Sequence, residues 1–465
     1  MNFERIGPLT GHPVSSAEAM SPAAAAAVAD RAAQAFPLWS RTGPGERRQL
    51  LLAAAEELSA RSPQIVEAMA EETGSTAGWA QFNIRLAVAM LREAAALTTQ
   101  INGSVIPSDR PGSLSMALRT PAGVVLGISP WNAPIILGTR SIAVPLACGN
   151  TVVLKASELC PRTHGLLTEA IAAAGFPPGV VNVVTNAPAD AAEVVGALVD
   201  HSAVRRINFT GSTAVGRIIA KRAAHHLKPC LLELGGKAPL LVLNDADLGE
   251  AVKAAAFGAF MNQGQICMST ERIIVDDSIA DEFSRRFAQK ARTLQTGDPR
   301  DGKSQIGAVI GEATVRHVNE LIEDALLRGA RLLCGGSANS VLMPVTIIDR
   351  VTADMRLYRD ESFGPIVGIM RASGEAEAIR IANDSEYGLS AAVFTRDAAR
   401  GLRVAQQIRS GICHVNGPTV HDEAQVPFGG LGASGYGRFG GQAGIDHFTE
   451  LRWITVATEP CHYPF

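Results

Sequence analysis

The sequence predicts an α/β fold with two or three domains, and three observations support this prediction. The chain has 465 residues, which is too long for one typical hydrophobic core. From about residue 122 onwards, short β-rich runs alternate with helix-like segments, as in a parallel sheet with helices on both faces. Apolar residues make up 47% of the chain and charged residues 19%, which is typical of an ordered globular protein.

The predicted elements follow one another in a regular order. Helical spacing of alanine, leucine and glutamate predicts helices over residues 17–35 and 44–72. In the alternating region we predict strands at residues 123–128, 151–155, 180–184, 204–209 and 230–234. The intervening helices are predicted at residues 134–147, 163–174, 189–199 and 214–225. Because open parallel sheets bind ligands at the carboxyl ends of their strands, binding residues are expected there.

A second α/β stretch begins near residue 239 and extends to about residue 430. It starts with a predicted strand at 240–243, a helix at 248–260 and a strand at 272–275. The chain then ends in a predicted strand at residues 448–457, which follows a glycine-rich segment and must pair with another strand.

Composition argues against several classes of function. The formal net charge of −3 offers no strong field for nucleic acid or an anionic membrane. The N-terminus lacks the pattern of a signal peptide, and no apolar run approaches the roughly 20 residues of a membrane span. The seven cysteines have neither Cys-x-x-Cys pairing nor zinc spacing. We therefore expect a cytoplasmic protein without a metal site.

Two glycine motifs are candidates for a phosphate site. A predicted strand ends in Phe209-Thr210-Gly211-Ser212 and is followed by a helix, whose N-terminus offers free N–H groups to an anion. Alone, this pattern more often marks an ordinary helix start. A literal Gly-x-Gly-x-x-Gly occurs at residues 435–440, but it follows a glycine-rich loop instead of a strand. We reject it as a dinucleotide site for that reason.

One cysteine, Cys267, occurs together with two other residues that could take part in catalysis. Cys267 lies in a Gly-Gln-Ile-Cys segment just beyond the predicted helix at 248–260, while Glu233 and Asn132 each lie at a predicted strand end. Taken singly, they would be a buried core residue, a helix cap or surface carboxylate, and a turn residue. Together a thiol nucleophile, a carboxylate base and an amide donor provide the groups that acyl transfer needs.

These residues belong to a wider set of motifs that resembles the aldehyde dehydrogenase superfamily in order and spacing over nearly the whole chain. The motifs are Pro-Trp-Asn-Ala-Pro at 130–134, Lys-Ala-Ser-Glu at 155–158, Phe-Thr-Gly-Ser-Thr at 209–213, Glu-Leu-Gly-Gly-Lys at 233–237, Gly-Gln-Ile-Cys at 264–267, Glu-Ser-Phe-Gly-Pro at 361–365 and Pro-Phe-Gly-Gly at 427–430. The strings around residues 135–140, 358–361 and 416–423 are most similar to the branch that oxidises salicylaldehyde, vanillin and benzaldehyde.

The resemblance implies three parts. A Rossmann-like dinucleotide-binding domain would comprise residues 1–101 and 122–234, and an α/β catalytic domain residues 235–433. Residues 102–121 and 434–465 would form a small β oligomerisation segment whose last strand adds to a partner's sheet in a homodimer or homotetramer. The strand that usually precedes the first helices would be short or missing.

The resemblance also implies the chemistry. Cys267 would attack the aldehyde, with the oxyanion held by the Asn132 amide and the Cys267 N–H, and Glu233 would activate the water that hydrolyses the thioester. Cys267 then needs either a lowered pKa or a nearby base. Alternatives are a relative with broad aliphatic specificity, a coenzyme-A-acylating relative, a cysteine hydrolase using His421 and Asp422, or a non-catalytic binding protein.

For the cofactor, the resemblance implies NAD, with NADP as a second possibility, because a carboxylate at Glu158 would repel a 2′-phosphate. Lys155 and Glu158 would bind the adenine ribose, and Glu361 the nicotinamide ribose; without the family, Lys155 and Glu158 would equally well form a solvated surface pair. The residues assigned to the cofactor are Ile128, Ser129, Trp131, Lys155, Ser157, Glu158, Phe209, Thr210, Gly211, Ser212, Val215, Glu361 and Phe363.

The predicted aldehyde pocket includes Arg140, which would meet a hydroxyl, phenolate or carboxylate of the substrate or else form an interdomain salt bridge. The other residues assigned to this pocket are Trp79, Ile266, Met268, Phe428 and Tyr436. Ser141 and Phe439 replace a lysine and a glutamate that many relatives use to relay protons, so Glu233 is expected to exchange its proton by another route.

Overall fold

The computed structural model describes residues 2–465 and has the predicted α/β architecture with several sheets. Its strands are β1 Asn2–Ile6, β2 Pro13–Glu18, β3 Ser104–Ile106, β4 Ser113–Pro121, β5 Val124–Ile128, β6 Thr151–Lys155, β7 Val181–Val184, β8 Val204–Thr210, β9 Cys230–Glu233, β10 Ala238–Val242, β11 Thr270–Asp276, β12 Arg331–Cys334, β13 Thr346–Asp349, β14 Ile366–Ala372, β15 Tyr387–Gly388, β16 Ser390–Phe394, β17 Ile412–Val415, β18 Leu431–Gly432, β19 Gly435–Tyr436 and β20 Thr449–Ala457.

The helices connect these strands and cover the sheets. They are α1 Pro22–Trp39, α2 Pro44–Ala60, α3 Ser62–Thr73, α4 Ala77–Leu97, α5 Pro134–Ala147, α6 Pro161–Ala173, α7 Ala191–Asp200, α8 Thr213–His225, α9 Leu248–Phe260, α10 Asp277–Ala291, α11 Glu312–Leu327, α12 Arg356–Arg359, α13 Glu375–Asn383, α14 Ala398–Ala405 and α15 Gly441–Phe448. Short 3₁₀ turns lie at Pro188–Asp190, Met261–Gly264 and Pro299–Asp301.

The first large sheet has six strands in the order β19-β9-β8-β5-β6-β7. The five strands from β9 to β7 in this order are parallel to one another. The sixth strand, β19, pairs with β9 in the antiparallel direction. Apolar side chains of α1, α7 and α8 pack on one face, and those of α2 to α6 on the other. The chain reverses its direction of winding between β5 and β8, and such a switch point opens a crevice at the carboxyl ends of the strands.

The second large sheet has seven strands in the order β12-β13-β14-β11-β10-β16-β17. All neighbours are parallel except β12, which pairs with β13 in the antiparallel direction. Its strands are largely buried on both faces, which explains why they read as continuous apolar runs in the sequence.

A third sheet is antiparallel and has three strands in the order β20-β4-β3. It combines β3 and β4, which precede the parallel strands in the sequence, with β20 near the end of the chain. The last strand therefore pairs with β4 of its own chain, from Thr449 opposite Pro121 to Ala457 opposite Ser113. Leu451 and Trp453 on this strand are exposed. Part of the segment grouped with this sheet in the sequence analysis lies elsewhere, because Gly435–Tyr436 joins the six-stranded sheet.

The N-terminal region differs from the sequence prediction in three ways. Residues 13–18 form β2, so the first helix begins at Pro22 instead of residue 17. The predicted helix 44–72 is divided between α2 and α3, and the long helix α4 was not predicted. The N-terminal strand expected to be short or missing forms a hairpin with β2 that is separate from the six-stranded sheet. Within residues 2–465, the structure contains no helix long and apolar enough to cross a membrane.

Candidate active site

The loop that carries Cys267 follows α9 and has an unusual backbone. Asn262 and Gln263 both adopt positive φ, at 49° and 58°, and Gly264 follows at 71°. Positive φ is costly for residues with a side chain, so this loop must be held by its surroundings. A Cβ atom on Gly264 would lie 2.1 Å from the carbonyl oxygen of Gly364, so only glycine fits there.

Polar side chains supply that support. The Gln263 side chain accepts a hydrogen bond from the Gly307 N–H at 3.0 Å and donates one to the Ala308 carbonyl at 2.8 Å. The Asn262 amide donates to the Asn132 carbonyl at 3.0 Å. Each of these bonds joins the loop to a segment distant in sequence, so the loop that carries Cys267 is positioned by tertiary contacts.

Cys267 lies where two cavities meet. It lines a cavity of about 380 Å³ together with Glu233, Gly235 and Glu361. It also lines a narrower slot of about 30 Å³ together with Trp79. Cys267 therefore borders two separate spaces, and a different molecule can occupy each of them.

The electrostatic surroundings of Cys267 disfavour its thiolate. Desolvation raises the pKa of the thiol to about 12, and the carboxylates of Glu233 and Glu361 contribute in the same direction. Arg140 acts in the opposite direction but does not outweigh them. Of the two possibilities in the sequence analysis, a lowered thiol pKa or a nearby base, these surroundings exclude the first. The Cys267 thiol therefore requires a neighbouring base.

Glu233 is the candidate for this base because of its position. It ends β9, lines the same cavity as Cys267 and is 2% exposed. Neither carboxylate oxygen has a hydrogen-bond partner among residues 2–465. Burial raises the pKa of Glu233 well above the usual range, although the charges of Arg140 and Arg438 lower it. A buried carboxyl group without partners retains both oxygens for a reacting proton.

Asn132 lies beside Cys267 and also lines both cavities. Its backbone carbonyl accepts hydrogen bonds from the Trp79 indole at 2.9 Å and from the Asn262 amide at 3.0 Å. Its side-chain amide donates one hydrogen bond to the Gln265 carbonyl at 3.0 Å. Because an amide nitrogen carries two hydrogens, this anchor leaves a second donor for an oxyanion at Cys267.

The residues assigned to the cofactor lie around a continuous crevice at the carboxyl ends of β5, β6 and β8. Eleven of the thirteen line a cavity of about 560 Å³. Glu361 and Phe363 line the adjoining cavity that contains Cys267, and the two cavities share Trp131. Sequence reasoning missed further wall residues on the helices, whose apolar side chains looked like ordinary packing: Ala191, Ala192, Val195, Gly196, Val199, Ile218 and Ile219, with Leu159 and Arg222.

Polar groups are distributed along this crevice as a dinucleotide requires. The Lys155 ammonium donates a hydrogen bond to Glu158 at 2.8 Å, with Lys155 buried and Glu158 partly exposed. Ser212 caps α8 by accepting from the Val215 N–H, and the helix N-terminus faces the cavity. Such a terminus favours an anion. These side chains therefore fit a ribose and a pyrophosphate.

Glu361 lies near the nucleophile in this structure. It accepts a hydrogen bond from the Gly236 N–H at 2.8 Å, and His317 contacts its backbone carbonyl oxygen at 2.9 Å. Burial raises the pKa of Glu361 to about 8, and the nearby Glu271 adds to the shift. A Cβ atom on Gly236 would lie 2.3 Å from the Cys267 carbonyl oxygen, so the close approach of these loops requires glycine.

The slot on the other side of Cys267 is lined mainly by apolar side chains. Five of the six residues assigned to the aldehyde pocket line it: Trp79, Arg140, Ile266, Met268 and Phe428. The wall residues that the sequence analysis did not assign to it are Phe82, Ala133, Ile136, Leu137, Val420 and Asp422. Helical spacing from Asn132 along α5 is the sequence signal that could have identified Ile136 and Leu137.

Tyr436 was wrongly assigned to this pocket. It lies on β19 opposite Leu232, and its side chain is exposed. Opposite residues of antiparallel strands share a face, and neighbours along a strand alternate. Tyr436 therefore lies on the face of Leu232, whereas Glu233 points to the other face. The prediction failed because the two-residue strand was read as a loop.

Arg140 forms the salt bridge that was the alternative to substrate binding. It pairs with Asp422, and both side chains are at most 6% exposed. The guanidinium also stacks over the Phe428 ring at 4.1 Å. His421 contacts Glu423 at 2.9 Å and is largely exposed. A Cys267–His421–Asp422 triad is not assembled among residues 2–465, which removes the main support for a cysteine hydrolase.

Comparisons with known proteins agree with this geometry. A family model described as the aldehyde dehydrogenase family matches residues 1–454. The chain is 59% identical to a vanillin dehydrogenase from Pseudomonas fluorescens over 462 residues, covering 99% of this chain and 96% of the relative. It is 51% identical to a salicylaldehyde dehydrogenase from Pseudomonas putida over 464 residues, covering 100% and 96%.

Solved structures give the same result. The fold matches the crystal structure of a salicylaldehyde dehydrogenase from Pseudomonas putida G7 complexed with salicylaldehyde with a TM-score of 0.98 and 50% identity, covering 100% of this chain and 96% of the other. An NADP-dependent glyceraldehyde-3-phosphate dehydrogenase from Bacillus halodurans C-125 complexed with NADP matches with a TM-score of 0.95 and 32% identity, covering 99% and 96%.

Proposed function

The chain belongs to the aldehyde dehydrogenase family and is an aldehyde-oxidising oxidoreductase, and from that premise we propose that it oxidises aromatic aldehydes to carboxylic acids through Cys267. The observation that supports this proposal best is the position of Cys267 between a large crevice that carries several polar side chains and a narrow apolar slot. The crevice suits a dinucleotide and the slot an aromatic aldehyde. Relatives named for vanillin and salicylaldehyde support the aromatic class.

In the proposed mechanism, an ionised Glu233 accepts the thiol proton as the Cys267 sulfur attacks the carbonyl carbon and forms a thiohemiacetal. The second N–H of the Asn132 amide and the Cys267 N–H stabilise the oxyanion. The crevice lined by Ser212, Glu361 and Phe363 would hold the dinucleotide, which would supply the hydride acceptor for the oxidation step. Glu233 then releases this first proton, taken from the thiol, to solvent. In the second half of the reaction it takes a proton from the water that attacks the Cys267 thioester and passes it to the departing thiolate, so that the carboxylic acid and the free thiol are released.

The cofactor proposal is NAD in preference to NADP. Glu158 carries a carboxylate at the edge of the crevice, and its pairing with Lys155 lowers the pKa of Glu158 against the effect of burial. The carboxylate is thus charged at neutral pH. A negative charge at a ribose site favours free hydroxyl groups and repels a 2′-phosphate.

Hydrolysis of the thioester by water is favoured over its transfer to coenzyme A. The buried Glu233 in the cavity of Cys267 supplies the base that water requires. A strictly acylating enzyme would not need this group. Formation of acyl-coenzyme A from aldehyde, dinucleotide and coenzyme A would overturn this part of the proposal.

We also propose that the protein is a homodimer or homotetramer formed through the three-stranded sheet. Its edge strand β20 exposes Leu451, Trp453 and Val456, and an unpaired apolar edge tends to join another strand. Light scattering after gel filtration measures the mass in solution. A clean monomer at working concentration would contradict this proposal.

The test of function measures dinucleotide reduction with salicylaldehyde, vanillin, benzaldehyde and hexanal, each with NAD and with NADP. We expect the highest kcat/KM for an aromatic aldehyde with NAD, and complete loss of activity in Cys267→Ala. Cys334→Ala, a change of another partly exposed cysteine far along the chain, serves as the matched control and should be fully active. Ester cleavage by Cys267 without any aldehyde oxidation would refute the proposed function.

A further inference from the structure

We propose that Asp422 is a specificity residue that accepts a hydrogen bond from a phenolic hydroxyl group of the aldehyde. The inference rests on the proposed function, because it assumes that an aromatic aldehyde occupies the slot beside Cys267. It adds a recognition element to that function: the preferred substrates carry a hydroxyl group on the ring.

The first observation is an incompletely satisfied carboxylate. Asp422 lines the slot and its side chain is 5% exposed. Its Oδ2 atom accepts a hydrogen bond from Arg140, whereas Oδ1 has no hydrogen-bond partner in the part of the chain that the structure describes. The backbone N–H of Glu423 also stabilises the charge of this carboxylate, although burial has the larger effect and raises the pKa of Asp422. A buried acceptor without a donor destabilises the protein unless a ligand supplies the missing group.

The second observation is the character of the slot. Its walls are mainly apolar, with Trp79, Phe82 and Phe428 as aromatic surfaces. Asn132 and Cys267 are polar but belong to the end where the carbonyl reacts. Arg140 is already engaged by Asp422 and by the Phe428 ring. The free oxygen of Asp422 is thus the acceptor left for a polar substituent on an otherwise apolar ring.

The walls of the slot differ in how easily they adjust to a ring. The slot is narrow, at about 30 Å³. Met268 lies on its wall, and methionine changes conformation easily. The Asp422–Arg140 pair is more rigid, because two buried charges hold each other. Adjustment of the slot to a ring therefore moves the apolar walls and leaves the acceptor in place.

The salt bridge between Asp422 and Arg140 also determines which of these two side chains contacts the substrate hydroxyl. A carboxylate acceptor stabilises the protonated hydroxyl, whereas direct contact with the Arg140 guanidinium would stabilise a phenolate. The two arrangements predict opposite shifts in the ionisation of a bound hydroxybenzaldehyde. This difference makes the proposal testable without any change at Asp422.

The first experiment compares kcat/KM for benzaldehyde and for its 2-, 3- and 4-hydroxy derivatives. For the isomer whose hydroxyl reaches Asp422, we expect a preference over benzaldehyde of about 10- to 100-fold in the wild type, the scale of a buried acceptor left without a partner. In Asp422→Asn the amide oxygen must accept the hydrogen bond from Arg140, because arginine can only donate. The NH₂ group of the amide, which is a donor, then takes the place of the free carboxylate oxygen. The preference should then fall by about tenfold or more.

Asp349→Asn is the matched control. Asp349 is likewise buried and paired with an arginine, Arg371 at 2.8 Å, but it lies on β13 in the seven-stranded sheet and lines none of the cavities described above. This variant should retain the hydroxyl preference. Equal loss of activity towards benzaldehyde and hydroxybenzaldehydes in Asp422→Asn would show a structural role and overturn the proposal.

The second experiment uses Cys267→Ala, which binds but cannot turn over. The preferred hydroxybenzaldehyde is added at a pH where half of it is ionised in solution, and its absorbance is recorded, since phenolates absorb at longer wavelength than phenols. We expect binding to increase the phenol band. An increase in the phenolate band would assign the contact to Arg140 and overturn the proposal.

Failure of this inference can be separated from failure of the proposed function. If the wild type oxidises benzaldehyde as well as every hydroxybenzaldehyde, Asp422 is not a specificity residue, but the oxidation of aromatic aldehydes stands. If it oxidises none of the four while hexanal is consumed, the aromatic proposal fails together with the role of Asp422.

Discussion

Two buried carboxylates, one on each of the two large sheets, have opposite surroundings. Glu271 accepts hydrogen bonds from the Ser362 N–H at 2.9 Å and hydroxyl at 2.6 Å, and it pairs with Lys237. Glu233 is similarly buried, but both of its oxygens lack partners within residues 2–465. A carboxylate whose oxygens all have hydrogen-bond partners holds chain segments together. A carboxylate with unpaired oxygens stays available for a proton or a ligand.

A second pair of buried carboxylates, one far from Cys267 and one near it, shows the same contrast. Glu72 is fully buried and accepts hydrogen bonds from the Arg162 N–H at 2.9 Å and from the Thr163 hydroxyl at 2.7 Å, which joins α3 to α6. Asp422, in contrast, lies near Cys267 and has one free oxygen. The unsatisfied carboxylate oxygens therefore cluster at the reaction site, and the following predictions test this division.

The largest expected effect is on catalysis by Glu233. Replacing it in Glu233→Gln should lower kcat by about 10²- to 10⁴-fold, because proton transfer by a positioned base typically contributes this much. The free energy of unfolding should hardly decrease, since the side chain has no hydrogen bond to lose. Steady-state kinetics and urea unfolding measure the two quantities. Full activity in this variant would contradict the role of Glu233 as the base.

The opposite pattern is expected for Glu271. Glu271→Gln should lower the free energy of unfolding by about 3–5 kcal/mol, because it leaves the buried Lys237 ammonium without its counter-charge. Urea unfolding measures this change. Glu282→Gln breaks an exposed pair with Arg286 and is the matched control, with an expected loss below about 1 kcal/mol. Equal effects of the two changes would show that burial does not separate these pairs.

The pH dependence of kcat should follow the raised pKa of Glu233. Below this pKa the carboxyl group is protonated and cannot accept a proton, so activity decreases as the pH falls through it and increases above it. The slope should approach tenfold per pH unit on the acid side. Glu233→Gln should lack this limb. If the limb persists in the variant, ionisation of the Cys267 thiol itself, with its pKa raised to about 12, controls the rate.

The smallest effect is expected at Glu158, whose carboxylate is paired and partly exposed. Glu158→Gln removes the negative charge while keeping the shape, and the ratio of kcat/KM for NADP to that for NAD should increase by about tenfold, the scale of one weakened charge contact. Kinetics with both dinucleotides measure the ratio. Glu169→Gln on the exposed side of α6 should leave it unchanged, and an unchanged ratio in Glu158→Gln would contradict the assignment.

The sequence by itself determined the elements of the parallel sheets and the residues at their ends. Strand β6 and helix α5 have the predicted bounds, because apolar periodicity and proline at a helix start are local properties of the chain. Eleven of the thirteen residues assigned to the cofactor line one cavity for a related reason, since the carboxyl ends of parallel strands meet at one edge. Glu361 and Phe363 lie in the segment before β14 and line the adjoining cavity. The resemblance to a known family supplied their proposed roles.

Only the tertiary structure decided which buried carboxylates are satisfied. The pairing of Arg140 with Asp422 joins residues 282 positions apart, and no local pattern predicts it. Tyr436 was misassigned because a two-residue strand carries no periodicity, so its face depends on pairing with β9. Secondary structure follows from neighbours along the chain, whereas burial, ionisation and unpaired acceptors depend on which distant segments pack together.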